Sequence, residues 1–149
     1  MKSDRSEQKI FHELSYYTLA HHDPSFIHQY VVDAFEAQYA DENTKSITIT
    51  FALIGLYLHL KKNFTGKEVQ LAHMKLGNHR KKWPQFNLPK KRGEITIYDV
   101  VAAPEGSMRD ETIFKWCVSV WESYSEIHKD VVNLAKRELW PRKDKKWKI

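Results

Sequence analysis

The sequence contains one cysteine, five glycines and five prolines in 149 residues, and each scarcity excludes a class of protein. The single cysteine, Cys117, cannot form an internal disulfide, and it excludes zinc sites built on pairs of cysteines. So few glycines and prolines are atypical of a loop-rich or all-β chain of this length. The first seven residues are polar and no apolar stretch follows them, so we expect no secretory signal and a cytoplasmic protein.

Apolar residues, by contrast, make up 42% of the chain, and aromatic residues make up 13%. This content is sufficient to bury a core, which excludes disorder of the whole chain. The length suits one compact domain. We therefore predict a single domain at residues 1–139, followed by a basic tail at residues 140–149.

The net charge of +5 is concentrated in two basic segments. Residues 75–92 hold seven basic residues and no acidic one, and residues 136–149 hold seven basic and two acidic residues. Such segments attract nucleic acids or acidic protein surfaces, and they also occur as solvated surface that keeps a protein soluble. Tryptophans lie in both segments, where they either stack on bases or cover the core at helix ends: Trp83 in the first, Trp140 and Trp147 in the second.

The first half of the chain shows helical patterns. Residues 7–20 carry apolar side chains at spacings of three and four, which is typical of one helix face. Asp23-Pro24 predicts the start of a second helix, with Asp23 as its N-cap and Pro24 at its first position. This helix is predicted to extend to about Tyr39. Residues 47–62 are apolar on nearly every side, which predicts a central core helix. The run is shorter than the about 20 residues needed to cross a bilayer, so we expect no membrane-spanning segment.

The second half begins with two capping signals. Thr65-Gly-Lys-Glu68 has the spacing of a capping box and predicts a helix to about Lys82. Thr96 and Asp99 repeat this spacing at the start of a short helix.

A long C-terminal helix is predicted next, because no helix breaker occurs between residues 108 and 139. Its predicted buried stripe advances in steps of three and four residues. The stripe consists of Phe114, Cys117, Trp121, Tyr124, His128, Val131 and Ala135.

Five main helices and one short helix with short connections predict an all-α fold, an antiparallel helical bundle.

One stretch of the second helix resembles a family signature. Residues 28–38 follow the pattern H-Q-x-x-V-D-A-x-x-x-Q, which is similar to that of a bacterial family of uncharacterised helical proteins, a domain of unknown function. The resemblance extends over roughly residues 11–135 and implies a helical fold and a bacterial cytosolic setting, but no activity. Further similar stretches are His59, Trp83-Pro84, Gly93 to Asp99, Trp116, Ser119-Val-Trp-Glu122 and His128.

Members of that family commonly begin with a cysteine-containing segment that resembles a small metal-binding module. This sequence has no counterpart to that segment, since its one cysteine is Cys117. Nothing about that module therefore carries over to this chain.

Three histidines lie on helix faces that the apolar pattern places inside the bundle: His28, His59 and His128. Imidazole binds zinc and other divalent metals, so three converging rings would form an open metal site. Trp121 and Tyr124 are predicted to line the same interhelical pocket and to contact a small ligand. The alternative is that each histidine is neutral and hydrogen-bonded within the core.

Several other residues are weaker candidates. Glu122, Asp33 or Glu13 could supply a carboxylate to the histidine pocket, although the sequence has no two-ligand pair on one helix turn. A surface metal site could also form at the N-terminal cluster of His12, His21 and His22. Cys117 lies on the buried stripe without a basic neighbour, so we expect a core residue rather than a nucleophile.

Two functional hypotheses follow, and the sequence leaves open whether the protein is an enzyme. The first is a divalent-metal or small-ligand site in the histidine-lined pocket, with zinc as the example metal and hydrolysis as one chemistry. The second is a non-enzymatic interaction module that binds nucleic acid or acidic partners through residues 75–92 and 136–149. A small bundle rich in tryptophan and tyrosine is also a candidate homodimer.

Overall fold

The computed structural model describes residues 5–20, 25–78 and 82–140. These residues form seven α-helices and no strand, which confirms the predicted all-α class. A short 3₁₀ turn, Ser125–Ile127, precedes the last helix. In chain order the helices are α1 (Arg5–Ala20), α2 (His28–Gln38), α3 (Ser46–Lys62), α4 (Gly66–Gly77), α5 (Ile97–Ala102), α6 (Ser107–Ser123) and α7 (His128–Leu139).

Helix α3 lies at the centre of the fold and packs against α2, α4, α6 and α7. Its segment from residue 52 to residue 58 is buried throughout, which confirms the predicted core helix. The helix ends where Asn63 adopts a left-handed conformation, with φ of 58°. The Phe64 amide then donates to the Leu58 carbonyl, satisfying one of the terminal carbonyls. Within the described part of the chain, no helix combines the length and apolar character of a membrane span.

The capping signals predicted for α4 and α5 are confirmed. At the start of α4, the Thr65 amide donates to the Glu68 carboxylate at 2.8 Å, and the Glu68 amide donates to the Thr65 hydroxyl at 3.2 Å. At the start of α5, the Thr96 amide donates to the Asp99 carboxylate at 2.8 Å. These side chains satisfy backbone donors that have no partner inside a helix.

Two predicted helix ends differ from the structure. Helix α4 ends at Gly77 rather than near Lys82, because glycine followed by Asn78 favours a helix terminus over continuation. Helix α2 begins at His28, and the predicted cap Asp23-Pro24 lies outside the described residues.

The prediction of one long C-terminal helix is wrong, because the chain forms two helices, α6 and α7. The first ends at Ser123, whose hydroxyl donates back to the Val120 carbonyl at 2.6 Å. Tyr124 then leaves the helical conformation, and its hydroxyl donates to the Ala37 carbonyl at 2.5 Å. Side-chain bonds to the backbone compete with helix continuation, and here a tertiary contact adds to that competition.

The start of α4 is also a point of close packing. The Gly66 amide donates to the Ser25 carbonyl at 2.5 Å, and a β-carbon at Gly66 would lie 1.8 Å from the Phe26 carbonyl oxygen. Both neighbours are backbone atoms, so they cannot move aside as a flexible side chain would. The glycine therefore fixes how closely α4 approaches the segment before α2.

Substitution of this glycine is predicted to destabilise the fold. We expect Gly66→Ala to lower the free energy of unfolding by at least about 2 kcal/mol, because overpacking against backbone forces the chain to shift. Gly77→Ala is the matched control, since nothing lies within 4 Å of a β-carbon there. Urea denaturation of both variants tests this, and equal stabilities would contradict the packing described.

Candidate functional site

His28, the first of the predicted metal ligands, connects α2 to α1. Its Nδ1 lies 2.9 Å from the Thr18 hydroxyl oxygen. The ring makes an edge-to-face contact with Phe26, with ring centres 5.8 Å apart. Burial lowers the pKa of this histidine from its ordinary value, which favours the neutral ring.

His59 lies in a stack of aromatic rings between α2 and α6. It stacks on Tyr30 with ring centres 3.4 Å apart, and it meets Phe114 edge to face at 5.9 Å. Burial lowers the pKa of His59 to about 4, against the opposing effect of a hydrogen bond to the Phe64 carbonyl. The ring is therefore neutral at pH 7 and belongs to the packing of the core.

His128 closes the junction between α6 and α7. Its ring lies flat on Trp121, with centres 3.8 Å apart and an angle of 8° between the planes. The Nε2 atom lies 2.7 Å from the Trp121 carbonyl oxygen. One tryptophan therefore provides both the stacking surface and the hydrogen-bond partner for this histidine.

Each of the three histidines is thus engaged by different neighbours. Across the described ranges, no group of three or more histidine, cysteine, aspartate or glutamate side chains is arranged to hold a metal ion. The structure does not bring His28, His59 and His128 together as such a group. Their separate contacts match the alternative role of structural core histidines.

Trp121 and Tyr124, the predicted ligand contacts, are buried in the core, with 2% and 1% of their surfaces exposed. Burial raises the pKa of Tyr124 to about 12, so its hydroxyl remains protonated and donates to the Ala37 carbonyl. The Trp121 ring lies against His128 and Tyr57. Both side chains join helices together.

The structure also shows where several of the weaker candidates lie. Cys117 is buried, its sulfur lies 3.7 Å from the Tyr30 carbonyl oxygen, and burial raises the pKa of its thiol. This confirms the prediction of a core cysteine. His12 is exposed beside Phe11, whereas His21 and His22 lie outside the described residues.

Some basic side chains of residues 75–92 act within the fold. The Arg92 guanidinium donates to the carbonyls of Pro89, Gln38 and Ala40. Lys75 donates to the Leu139 carbonyl at 3.4 Å. These two cations are therefore unavailable as freely solvated charges. Arg80 and Lys81, and the tail at residues 141–149 with Trp147, lie outside the described residues.

The tryptophans at the helix ends pack on the core. Trp83 meets Phe51 edge to face, with centres 5.2 Å apart. Trp140 meets Phe64 at 6.2 Å, and the Lys62 ammonium lies 5.9 Å from the centre of its ring. These contacts support core covering rather than base stacking for both rings.

The buried Gln38 side chain connects three separate parts of the chain. Its amide nitrogen donates to the Arg92 carbonyl at 3.1 Å and to the Ile95 carbonyl at 2.8 Å. Its amide oxygen accepts a hydrogen bond from the Trp116 indole at 2.8 Å. Gln38 therefore holds the segment at residues 92–95 and helix α6 against the end of α2.

The same segment also contacts α6 directly. The Ile95 amide donates to the Ser119 hydroxyl at 3.1 Å. Gly93 has φ of 111°, and a β-carbon there would lie 2.6 Å from the hydroxyl oxygen of Ser119. Only glycine combines this backbone conformation with so close an approach.

An open cleft of about 640 Å³ lies beside this contact. Ile95, Phe114 and Val118 provide an apolar surface, and 51% of the Phe114 surface is exposed. This exposure corrects the prediction that Phe114 belongs to a buried stripe. The other lining residues are Lys91, Gly93, Glu94, Lys115, Ser119, Glu122 and Ser123.

Sequence reasoning missed this cleft because it assigned Phe114 to the buried stripe of α6 and Glu122 to the histidine pocket. The available signals were Phe114 and Val118, which lie one turn apart, and Glu122, one turn further on. Gly93 gives no local signal of the cleft. Its contact with Ser119 depends on how the 91–95 segment packs, and no local spacing reports that packing.

Asp33, a predicted source of a carboxylate, is buried between α2 and α3 with 2% of its surface exposed. Its Oδ1 accepts a hydrogen bond from the Gln29 amide at 3.2 Å, whereas Oδ2 has no hydrogen-bond partner among the described residues. Gly55 leaves the space for this carboxyl. Burial raises the pKa of Asp33 well above its ordinary value of 3.8, and the charge of Glu36 adds to this effect.

A raised pKa predicts that Asp33 makes the fold less stable as the pH rises. Above the ordinary pKa of 3.8 the unfolded chain loses this proton while the folded chain keeps it, so unfolding becomes more favourable. We expect Asp33→Asn to gain stability relative to the unsubstituted protein between pH 4 and pH 7, by up to about 1.4 kcal/mol per pH unit.

Urea denaturation at both pH values measures this difference. Asp130→Asn is the control, since Asp130 is exposed at the start of α7. A stability difference for Asp33→Asn that does not grow with pH would contradict the burial of a protonated carboxyl.

Comparison with known proteins identifies a family. Residues 6–125 match the family of unknown function DUF5946. No curated protein and no solved structure matches the chain. The matched residues include the whole of the cleft and Gln38, and they end before His128. Since the match spans most of the sequence, the chain belongs to DUF5946, a family of unknown function.

Proposed function

We propose that this protein binds a small ligand in the cleft between residues 91–95 and helix α6. The observation that supports this proposal is the cleft itself. Its volume of about 640 Å³ falls within the range of about 300–1,000 Å³ that is common for small-molecule sites. Exposed apolar surface of this kind favours binding of a ligand with an apolar body.

One wall of the cleft is held in place by hydrogen bonds within the protein. Gln38 and Arg92 hold the 92–95 segment through backbone carbonyls, and Ser119 accepts the Ile95 amide. A preformed wall reduces the conformational entropy that binding has to overcome. This preorganisation supports a binding site rather than an incidental surface depression.

The side chains in the cleft favour binding over catalysis. The hydroxyls of Ser119 and Ser123 are engaged with backbone groups, and no histidine is among the lining residues. A serine nucleophile needs a base within hydrogen-bond reach, and the histidines described above lie in other contacts. We therefore favour a binding protein over a hydrolase.

The remaining sequence hypotheses stay predictions. A metal at His28, His59 and His128 lacks geometric support, because each ring contacts a different partner. Binding of nucleic acid or acidic partners loses the contribution of Lys75 and Arg92, which bond within the fold. The homodimer and the bacterial cytoplasmic setting rest on the sequence alone.

Binding of a neutral fluorescent probe, N-phenyl-1-naphthylamine, tests the proposed site. We expect saturable binding of one probe per chain, weakened about fivefold by Phe114→Ala. A phenyl ring that buries roughly 50 Å² against a ligand contributes about 1 kcal/mol, which corresponds to that factor.

Leu71→Ala is the matched control, because Leu71 is an apolar side chain on α4 with 54% of its surface exposed. We expect this variant to bind the probe like the unsubstituted protein. Circular dichroism confirms that both variants are folded. Unchanged binding by Phe114→Ala, or an equal loss in both variants, would contradict the proposed site.

A further inference from the structure

We propose that the ligand of this cleft is a small molecule with a positively charged nitrogen on an apolar, ring-sized body. This inference rests on the proposed binding function and specifies the chemistry of the ligand. It derives from the one charged side chain of the cleft that has no ion-pair partner among the residues that the structure describes, and from the position of that side chain relative to the apolar surface.

Two of the four charged side chains that line the cleft are lysines, and both have carboxylate partners. Lys91 Nζ lies 3.0 Å from Glu94 Oε2, within the 91–95 segment. Lys115 Nζ lies 3.7 Å from Glu111 Oε2, one turn earlier on α6. An anionic ligand would compete with these carboxylates for the lysines, so the two pairs weaken any preference of the cleft for an anion.

Glu122 is the lining charge that has no such partner. Its carboxylate makes no hydrogen bond or ion pair with any residue in the described part of the chain, and the side chain is exposed. A cationic group would neutralise it, whereas an anionic group would be repelled by it. The electrostatics of the cleft therefore favour a cation.

The apolar surface and the free carboxylate lie in line along α6. Phe114, Val118 and Glu122 follow one another at intervals of four residues, so they form one row on the helix surface. Eight residues of helix rise about 12 Å. A ligand that covers Phe114 and Val118 with its body therefore places its charged end near Glu122.

The Phe114 ring favours an aromatic body. One side of the ring meets His59 edge to face, and half of the surface remains exposed at the cleft. Exposed aromatic rings bind other rings by offset or edge-to-face contacts, and they also attract cations. Both preferences agree with a ligand that combines a ring with an ammonium group.

Three probes with the same body and different end groups test this inference: 4-phenylbutylamine, 4-phenylbutanol and 4-phenylbutyrate. Titrations followed by nuclear magnetic resonance at pH 7 and low salt measure the dissociation constants and locate the shifted amide signals. We expect the amine to bind about threefold more tightly than the alcohol, as for an exposed ion pair, and the carboxylate to bind most weakly. The largest shifts are expected at residues 114–122.

Glu122→Gln is the decisive variant, and it should bring the amine and the alcohol to nearly equal affinity. Glu126→Gln is the control, because Glu126 is exposed in the 3₁₀ turn and does not line the cleft. We expect this control to keep the preference for the amine.

The outcomes separate this inference from the function on which it rests. Failure of all three probes to bind would overturn the binding function and the charge preference together. Equal affinity for the amine and the alcohol, or a preference that persists in Glu122→Gln, would overturn the charge preference alone. A third outcome is that the protein self-associates, that Phe114→Ala abolishes this association and that 4-phenylbutylamine does not compete with it. This result would assign the cleft to a second copy of the chain instead of a small ligand.

Discussion

The cleft depends on the side-chain amide of Gln38, which bonds to two carbonyls of the 92–95 segment and to the indole of Trp116. A buried hydrogen bond contributes only about 1 kcal/mol, but a buried group left without its partner costs about 1–3 kcal/mol. Removal of this amide would leave two carbonyls and one indole without their partner. The segment that forms one wall of the cleft therefore satisfies these hydrogen bonds in only one position against α6.

The polar residues of α2 contact the neighbouring helices on both sides of α2. His28 joins α2 to α1 through Thr18, and Asp33 occupies the space beside Gly55 on α3. Gln38 joins the end of the helix to α6. These contacts fix the position of α2 relative to its neighbours, which is the specificity that buried polar groups confer in some proteins. Polar residues on one helix can thus set how the neighbouring helices are aligned.

Local signals predicted much of the fold, and tertiary contacts account for what they missed. The capping boxes at Thr65 and Thr96 depend on neighbours three residues away, so the sequence reports them directly. The break after Ser123 involves the distant carbonyl of Ala37, which no local pattern indicates. Periodicity placed three histidines inside the bundle, but the partner of each ring depends on how the helices pack. The cleft was missed for the same reason, since one of its walls is a segment without periodic structure.

Hydrogen–deuterium exchange of a Gln38→Met variant tests most directly whether this amide holds the wall of the cleft, because methionine fills similar space without hydrogen-bonding groups. The amides of residues 92–96, including the Ile95 amide that donates to Ser119, report on the wall. The amides of α4 report on the rest of the fold. We predict faster exchange at residues 92–96 and unchanged exchange in α4. Exchange at residues 92–96 that matches the unsubstituted protein, or that rises equally in α4, would contradict the account.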